Sequence, residues 1–267
     1  MKESLNLSQT LYDWSSPTVL ISDLHLNGGT RDHLVLKHLR TLFSNEQHEE
    51  LSSSTTIKRL VLLGDVFDFQ LGYKNTIYRA HLPFYFFLQE LINKGIEIFV
   101  FTGNHDPDLH PVLTEDLNVP VLTQPTLINI FDSMVRLEHG DLLEYSPVKR
   151  LLCRFVRHPL TCRMARFFPP HIMWLITSRW GTQEGNLESY DQQHLLKMIE
   201  HRWPKYAMEG IDYWVFGHFH QALAWDAPNQ EVRKDCPSQV FVLGDQVRLH
   251  TYLLWNENGP QLHQFSD

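Results

Sequence analysis

Five short apolar runs, each ending in the same kind of residue, constrain this chain more than any other feature. Thr18 to Ser22, Leu60 to Leu63, Ile96 to Phe101, Met134 to Leu137 and Tyr213 to Phe216 are each long enough for a buried strand and too short for a helix. Every run leads into residues that bind metals or move protons. The endings are Asp23-Leu24-His25, Gly64-Asp65-Val66-Phe67-Asp68, Gly103-Asn104-His105-Asp106, His139-Gly140-Asp141 and Gly217-His218-Phe219-His220. In an open α/β sheet the carboxyl ends of strands share one edge, so these groups are expected to converge there. Extended residues i and i+2 point the same way, which offers Asp23 with His25, and His218 with His220, to one side. Glycines beside Asp65, Asn104, His139 and His218 remove bulk where ligands must crowd together.

Between the first three runs lie two helical stretches, Asp32 to Phe43 and Thr76 to Asn93, the second closed by Gly95. That alternation reads as an α/β fold. Shorter strand-like pieces follow, Val119 to Leu122 and Thr126 to Ile130, with three more from Gln239 onward, so the core is expected to be layered with mixed sheets. Residues 145–210 read as a helical insertion, a cap interrupting a core of 1–144 and 211–267. From Tyr145 to Gln183 there are seven Lys and Arg and no Asp or Glu, in a chain whose net charge is −8. Arg150, Arg154 and Arg157 recur at helical spacing beside Leu151, Leu152, Phe155 and Val156, and the pattern resumes after Pro159 with Arg163 and Arg166. These spacings predict a basic amphipathic helical pair. Inserted just after His139, it is expected to fold over the site as a lid, with Arg150, Arg154 and Arg157 binding substrate. A cationic and apolar lid suits a substrate with phosphates and greasy chains, or an anionic membrane surface.

Composition narrows the classes. With 43% hydrophobic residues over 267 positions, the chain has a large core to bury, which argues against disorder. Net acidity argues against a nucleic-acid binder that works by whole-surface attraction to phosphates. Cys153, Cys162 and Cys236 form no disulfide framework, so a reducing, cytoplasmic compartment is expected. No stretch approaches the roughly 18 apolar residues of a spanning helix. A soluble protein, at most peripheral on a membrane, follows, and no obligate protein partner is indicated.

Carboxylates, imidazoles and one amide oxygen, without thiolates, suit manganese, iron or zinc. Seven such groups exceed the roughly three protein ligands of a catalytic zinc, so two ions sharing one carboxylate are expected. Taken in order from Val19 to His220, the blocks resemble the calcineurin-like metallophosphoesterases, whose signature is Asp-x-His, Gly-Asp-x-x-Asp, Gly-Asn-His-Asp or Glu, an isolated His, and Gly-His-x-His. The resemblance implies a four-layer fold, two mixed β-sheets packed together and flanked by helices. It implies that Asp23, His25 and His220 hold one ion, that Asn104, His139 and His218 hold the other, and that Asp65 bridges them. It makes His105 catalytic, at a phosphoryl or leaving oxygen, with Asp106 placed to orient its imidazole and Asp68 and Asp141 in support. In-line attack by activated water, without a covalent phosphoenzyme, is the implied mechanism.

Within that family the plan resembles the UDP-2,3-diacylglucosamine diphosphatases of lipid A synthesis. The shared features are Asp23 to Leu26, the His139-Gly140-Asp141 block leading into a basic helical cap, and a strand-rich end from Val240. The resemblance implies manganese, a place at the cytoplasmic face of the bacterial inner membrane, and cleavage to UMP and a lipid sugar phosphate. His105 stands where that subfamily commonly carries Arg. Two other readings stay open: a phosphatase or phosphodiesterase for small soluble phosphates, and a non-catalytic scaffold, whose usual mark is lost ligands. Histidines outside the blocks, including His38, His81 and His250, are expected at the surface or satisfied in the core.

Overall fold

In the computed structural model, which describes residues 12–44, 56–144, 146–177, 191–227 and 239–265, all five apolar runs are strands. The first half is built from β1 (Tyr12–Trp14), β2 (Thr18–Ile21), α1 (Arg31–Leu42), β3 (Arg59–Leu63), α2 (Leu82–Asn93), β4 (Glu97–Phe101), β5 (Val121–Leu122), β6 (Thr126–Ile130) and β7 (Ser133–Glu138). Next come α3 (Pro147–Val156), α4 (Pro159–Ala165), α5 (Pro170–Thr177) and α6 (Gln192–Met208). The chain closes with β8 (Tyr213–Phe216), β9 (Leu223–Asp226), β10 (Gln239–Val242), β11 (Thr251–Asn256) and β12 (Gly259–Gln264). Helix α2 starts later than the expected Thr76, after a 3-10 turn at Arg79–His81, and it carries Pro83 in its first turn, where a missing N–H costs nothing.

Two six-stranded sheets result, ordered β12-β11-β2-β3-β4-β5 and β1-β6-β7-β8-β10-β9. In the first, β2, β3 and β4 run parallel while β11 and β12 are antiparallel; in the second, β7, β8 and β10 are parallel and β9 is antiparallel. Both sheets are therefore mixed. Alternate residues divide between two apolar layers. Leu20, Val61, Leu63, Phe99 and Phe101 meet Val135, Leu137, Tyr213, Val215 and Phe241 between the sheets. Val19, Ile21, Leu60 and Leu62 face the other way, onto Val35 and Leu39 of α1 and Phe84 and Leu88 of α2. On the far side, Trp214, Phe216, Val240 and Val242 pack against Leu195, Ile199, Trp203 and Tyr206 of α6. Four layers follow, and strands covered on both faces read as unbroken apolar runs.

The helices of residues 145–210 differ in what they cover. Pro204 inside α6 costs a helix about 3 kcal/mol. Five buried side chains, Leu195, Met198, Ile199, Trp203 and Tyr206, at roughly 1.5–3 kcal/mol each, outweigh that cost and hold α6 on the sheet. Helix α3, by contrast, buries none of its residues, and Leu151, Phe155, Leu160, Met164, Phe167 and Phe168 of the α3–α5 region are all exposed. A small apolar cluster of Leu71, Tyr73 and Cys162 roots this region in the loop after β3.

Candidate metal centre

Parallel pairing places the carboxyl ends of β2, β3 and β4 side by side, and β7 and β8 deliver theirs from the second sheet. The turns at those ends are unusual. Asp23, His25, Asp65, His218 and His220 all adopt left-handed φ values, between 49° and 69°. Each costs a non-glycine residue about 1–2 kcal/mol, so together they rival the roughly 5–15 kcal/mol net stability of a domain. Asn118, Phe131, Asp132 and His250 share the conformation elsewhere, but five such residues at one locus are the mark of a functional site. Two glycines permit the crowding. A Cβ on Gly103 would sit 2.0 Å from Asp65 Oδ1, and one on Gly217 would sit 1.8 Å from Ser22 Oγ.

The seven expected ligands gather into two adjoining groups. Asp23, His25 and His220 form one, with ligand atoms within 4.8 Å of one another; Asp65, His139 and His218 form the second on the same criterion. Asp23 Oδ1 lies 3.8 Å from His25 Nε2 and 3.6 Å from His220 Nε2. His139 Nε2 lies 3.2 Å from Asp65 Oδ2 and 3.2 Å from Asn104 Oδ1, which brings Asn104 into the second group. The groups touch through the backbone N–H of His218, which donates to Asp23 Oδ2 at 2.9 Å. Asp23 Oδ1 and His25 Nε2 are buried without any hydrogen-bond partner. Orphaned donors and acceptors at such depth cost about 1–3 kcal/mol each, and a cation lodged between them would offset that cost. The donor set of carboxylate, imidazole and amide oxygen fits hard to borderline divalent ions.

The surrounding contacts aim these side chains. His139 Nδ1 donates to the Leu63 carbonyl at 2.7 Å, and His25 Nδ1 lies 3.1 Å from Asp68 Oδ1, so both rings turn Nε2 inward. Burial alone would lower the His139 pKa, but the Asp65 charge beside it raises the ring to about 10. Asp65, despite its burial, is held well below the usual carboxylate range by His139 and His105. Each of the two groups thus stabilises the charged form of the other.

His105 stands at the rim, its ring 5.0 Å from that of His25. The expected role of Asp106 as its orienting partner is not what the structure contains. His105 Nδ1 donates instead to the Asp68 carbonyl at 3.0 Å. The Asp106 carboxylate points the other way and accepts backbone N–H groups from Gly103, Asp65, Val66 and Phe67, pinning the loops after β3 and β4 together. Burial first, then the Asp65 charge, push its pKa up to about 7. Neighbours in a tight loop point apart, which is why adjacency in sequence misleads here.

The arginine stripe divides. Arg157 follows the last residue of α3, where the chain turns back to the core. Its guanidinium donates to Asp141 Oδ1 at 2.6 Å, to Thr102 Oγ1 at 2.9 Å and to the Thr123 carbonyl at 2.8 Å. It is thereby committed to the core rather than to a substrate-facing stripe. Arg166 pairs with Asp108 at 3.0 Å, a second anchor of the same region. Arg150 is half-buried and Arg154 exposed. Sequence reasoning missed one further residue near the ligands, Asp245, although Gly244-Asp245 ends the apolar run of β10 just as Gly64-Asp65 ends β3.

A family model described as calcineurin-like phosphoesterase matches residues 16–222. Curated relatives named UDP-2,3-diacylglucosamine hydrolase occur in Porphyromonas gingivalis, at 27% identity over 92% of this chain and 96% of that protein, and in Pseudomonas entomophila, at 26% identity over 92% and 98%. A Pseudomonas putida protein of the same name is 26% identical over the same shares. Among solved structures, a protein of unknown function from Aquifex aeolicus aligns over 93% of this chain and 96% of its own, with 14% identity and a TM-score of 0.40.

Proposed function

We propose that this chain, which belongs to the calcineurin-like phosphoesterase family, hydrolyses the diphosphate of a lipid-linked nucleotide sugar, UDP-2,3-diacylglucosamine, to UMP and a lipid sugar phosphate. The carrying observation is an exposed apolar and cationic helical surface rooted in the loops that bear the ligand cluster. Between α3, α4 and α5 lies a groove of about 720 Å³, lined by Leu151, Phe155, Leu160, Met164 and Phe168 with Arg154 at its wall. Such a groove accepts an acyl chain, and Arg150 and Arg154 supply charge for the diphosphate or for anionic headgroups. The name shared by the relatives supports the same substrate.

Two divalent ions, manganese first and iron or zinc as alternatives, would be held by Asp23, His25 and His220 and by Asn104, His139 and His218, with Asp65 shared. When bound they supply Lewis acidity and a lowered water pKa. His105 does the proton work. With Nδ1–H held by the Asp68 carbonyl, Nε2 is the ring atom left to exchange a proton with a phosphoryl or leaving oxygen. Asp68 fixes the His25 ring, and Asp106 keeps the two ligand loops in register. No helix among the described residues is long and apolar enough to cross a membrane. The exposed α3–α5 surface instead rests on the cytoplasmic face of an anionic bilayer, where the substrate resides.

A second reading, a phosphatase for small soluble phosphates, draws on His105 standing where the lipid enzymes commonly have Arg. Incubating the manganese-loaded protein with UDP-2,3-diacylglucosamine separates the two. Release of UMP at a rate well above the turnover of p-nitrophenyl phosphate or free UDP-sugars supports the lipid substrate; efficient turnover of the soluble compounds alone overturns it.

A further inference from the structure

Residues 68–81, which lead from the Gly-Asp-x-x-Asp block to α2, touch both the ligand cluster and the cap. At the inner end they hold His105 twice. The carbonyl of Asp68 accepts its Nδ1–H at 3.0 Å, and the backbone N–H of Gln70 donates to its carbonyl at 3.2 Å. Gln70 is buried, and its Oε1 meets Nδ1 of His81 at 3.0 Å, whose ring stacks on Phe67 at 4.0 Å. Further along, the backbone of Gly72 runs so close to the loop after β4 that a Cβ there would sit 1.8 Å from the His110 carbonyl. The placement of His105 is thus tied to the course of this one segment.

At the outer end the segment meets the cap through two phenols. Tyr73 Oη donates to the carbonyl of Phe168 at 2.9 Å, and Tyr78 Oη donates to that of Pro170 at 3.0 Å. Burial pushes both phenol pKa values up, so each oxygen keeps the proton it donates. The receiving stretch, Phe168-Pro169-Pro170, joins α4 to α5, and its two proline rings fix φ at about −65° and stiffen it. Phe168 and Met173, on either side of the prolines, line the apolar groove; the two tyrosines do not. They stand between the cap and the segment that holds His105. A catalytic group displaced by about 1 Å can lose about 10²-fold in rate, so contacts one step removed from the chemistry are enough to matter.

We propose that Tyr73 and Tyr78 are positioning residues for His105: by hydrogen-bonding the α4–α5 junction they keep residues 68–81 on the course that holds the His105 ring at the rim of the ligand cluster. This inference rests on the proton role read for His105, not on the identity of the substrate.

Its first test compares the manganese-loaded protein with the double variant Tyr73→Phe and Tyr78→Phe, which keeps both rings packed. On p-nitrophenyl phosphate, which has no acyl chain for the groove, kcat should fall about tenfold with KM within twofold, a part of the roughly 10²–10⁴-fold that a placed proton donor supplies. Phenols that only anchored the cap would leave p-nitrophenyl phosphate turnover unchanged and raise KM for UDP-2,3-diacylglucosamine alone. That result, or no change on either substrate, overturns the inference. The second test is independent of turnover and uses long-range proton–nitrogen NMR of the zinc-loaded protein. The His105 ring signals should move in the double variant, while those of His139, held by the Leu63 carbonyl in the core, stay in place. Unmoved His105 signals in the folded variant contradict the inference. If circular dichroism shows that the double variant does not fold, Tyr78→Phe alone carries both expectations in smaller measure. Undiminished turnover in His105→Gln would instead sink the role read for His105, with the NMR test of its placement still standing.

Discussion

Arg157 donates to Asp141 across 2.6 Å, and that contact joins the end of α3 to the loop that carries His139. Asp141 is buried, and the same guanidinium also holds Thr102, two residues before Asn104. Two ligand-bearing loops and the exposed helices thus share one cation.

Removing it should be costly. Arg157→Ala leaves the Asp141 charge buried and unpaired, which costs about 3–5 kcal/mol in a fully buried pair; with the arginine partly exposed, a loss of about 2–3 kcal/mol is expected. Urea unfolding measures this. In a double-mutant cycle with Asp141→Asn the two losses should be clearly non-additive, because the second change removes the orphaned charge. Strict additivity would show that the contact carries nothing.

Arg150 and Arg154 have a different expected effect, since substrate binding rather than core integrity is proposed for them. Replacing both by Ala should leave the unfolding midpoint within error. Efficiency on UDP-2,3-diacylglucosamine should fall about tenfold or more, while turnover of p-nitrophenyl phosphate stays within twofold. Equal losses on both substrates would remove the cap from substrate recognition.

His81 offers a test of stability against pH away from the ligand cluster. It is buried, stacked on Phe67 at 4.0 Å and paired with Gln70 at 3.0 Å; burial depresses its pKa to about 3, against the small opposing pull of Asp68. An imidazole whose pKa is lower when folded is protonated first in the unfolded chain. Its contribution is therefore intact above the unfolded pKa, near 6.5, and lost as pH falls from there towards 3, with a slope approaching roughly 1.4 kcal/mol per pH unit. Comparing unfolding midpoints at pH 7 and pH 5, His81→Gln should lose less stability than the unmodified protein. Parallel losses would mean that His81 is already protonated in the fold.

Strand positions and the side chains that converge at the strand ends were readable in the sequence because each has a direct chemical signature. Strands such as β3 bury both faces and appear as apolar runs, and ligands must be Asp, Asn or His. Strand β1 has three residues and β9 is half-exposed, so neither leaves a pattern. The contacts that aim the ligands were harder to see. His139 and His105 are oriented by the carbonyls of Leu63 and Asp68, atoms that every residue type supplies. The spacing of Arg150, Arg154 and Arg157 puts them on one helical face only while the helix lasts, and α3 ends at Val156. Asp245 announces itself by the same Gly-Asp ending as Asp65, but its nearness to His218 and His220 comes from the pairing of β10 with β8, which the sequence does not spell out.

Metal counting in the unmodified protein and in Asp65→Ala tests the shared-carboxylate centre most directly. Elemental analysis after manganese saturation and gel filtration should find two ions per chain, and the electron paramagnetic resonance spectrum should show them magnetically coupled. Asp65→Ala should remain folded, lose the coupling and retain at most one weakly held ion, with hydrolysis abolished. A single uncoupled ion in the unmodified protein, or undiminished turnover in the variant, would contradict a centre in which Asp65 joins two cations.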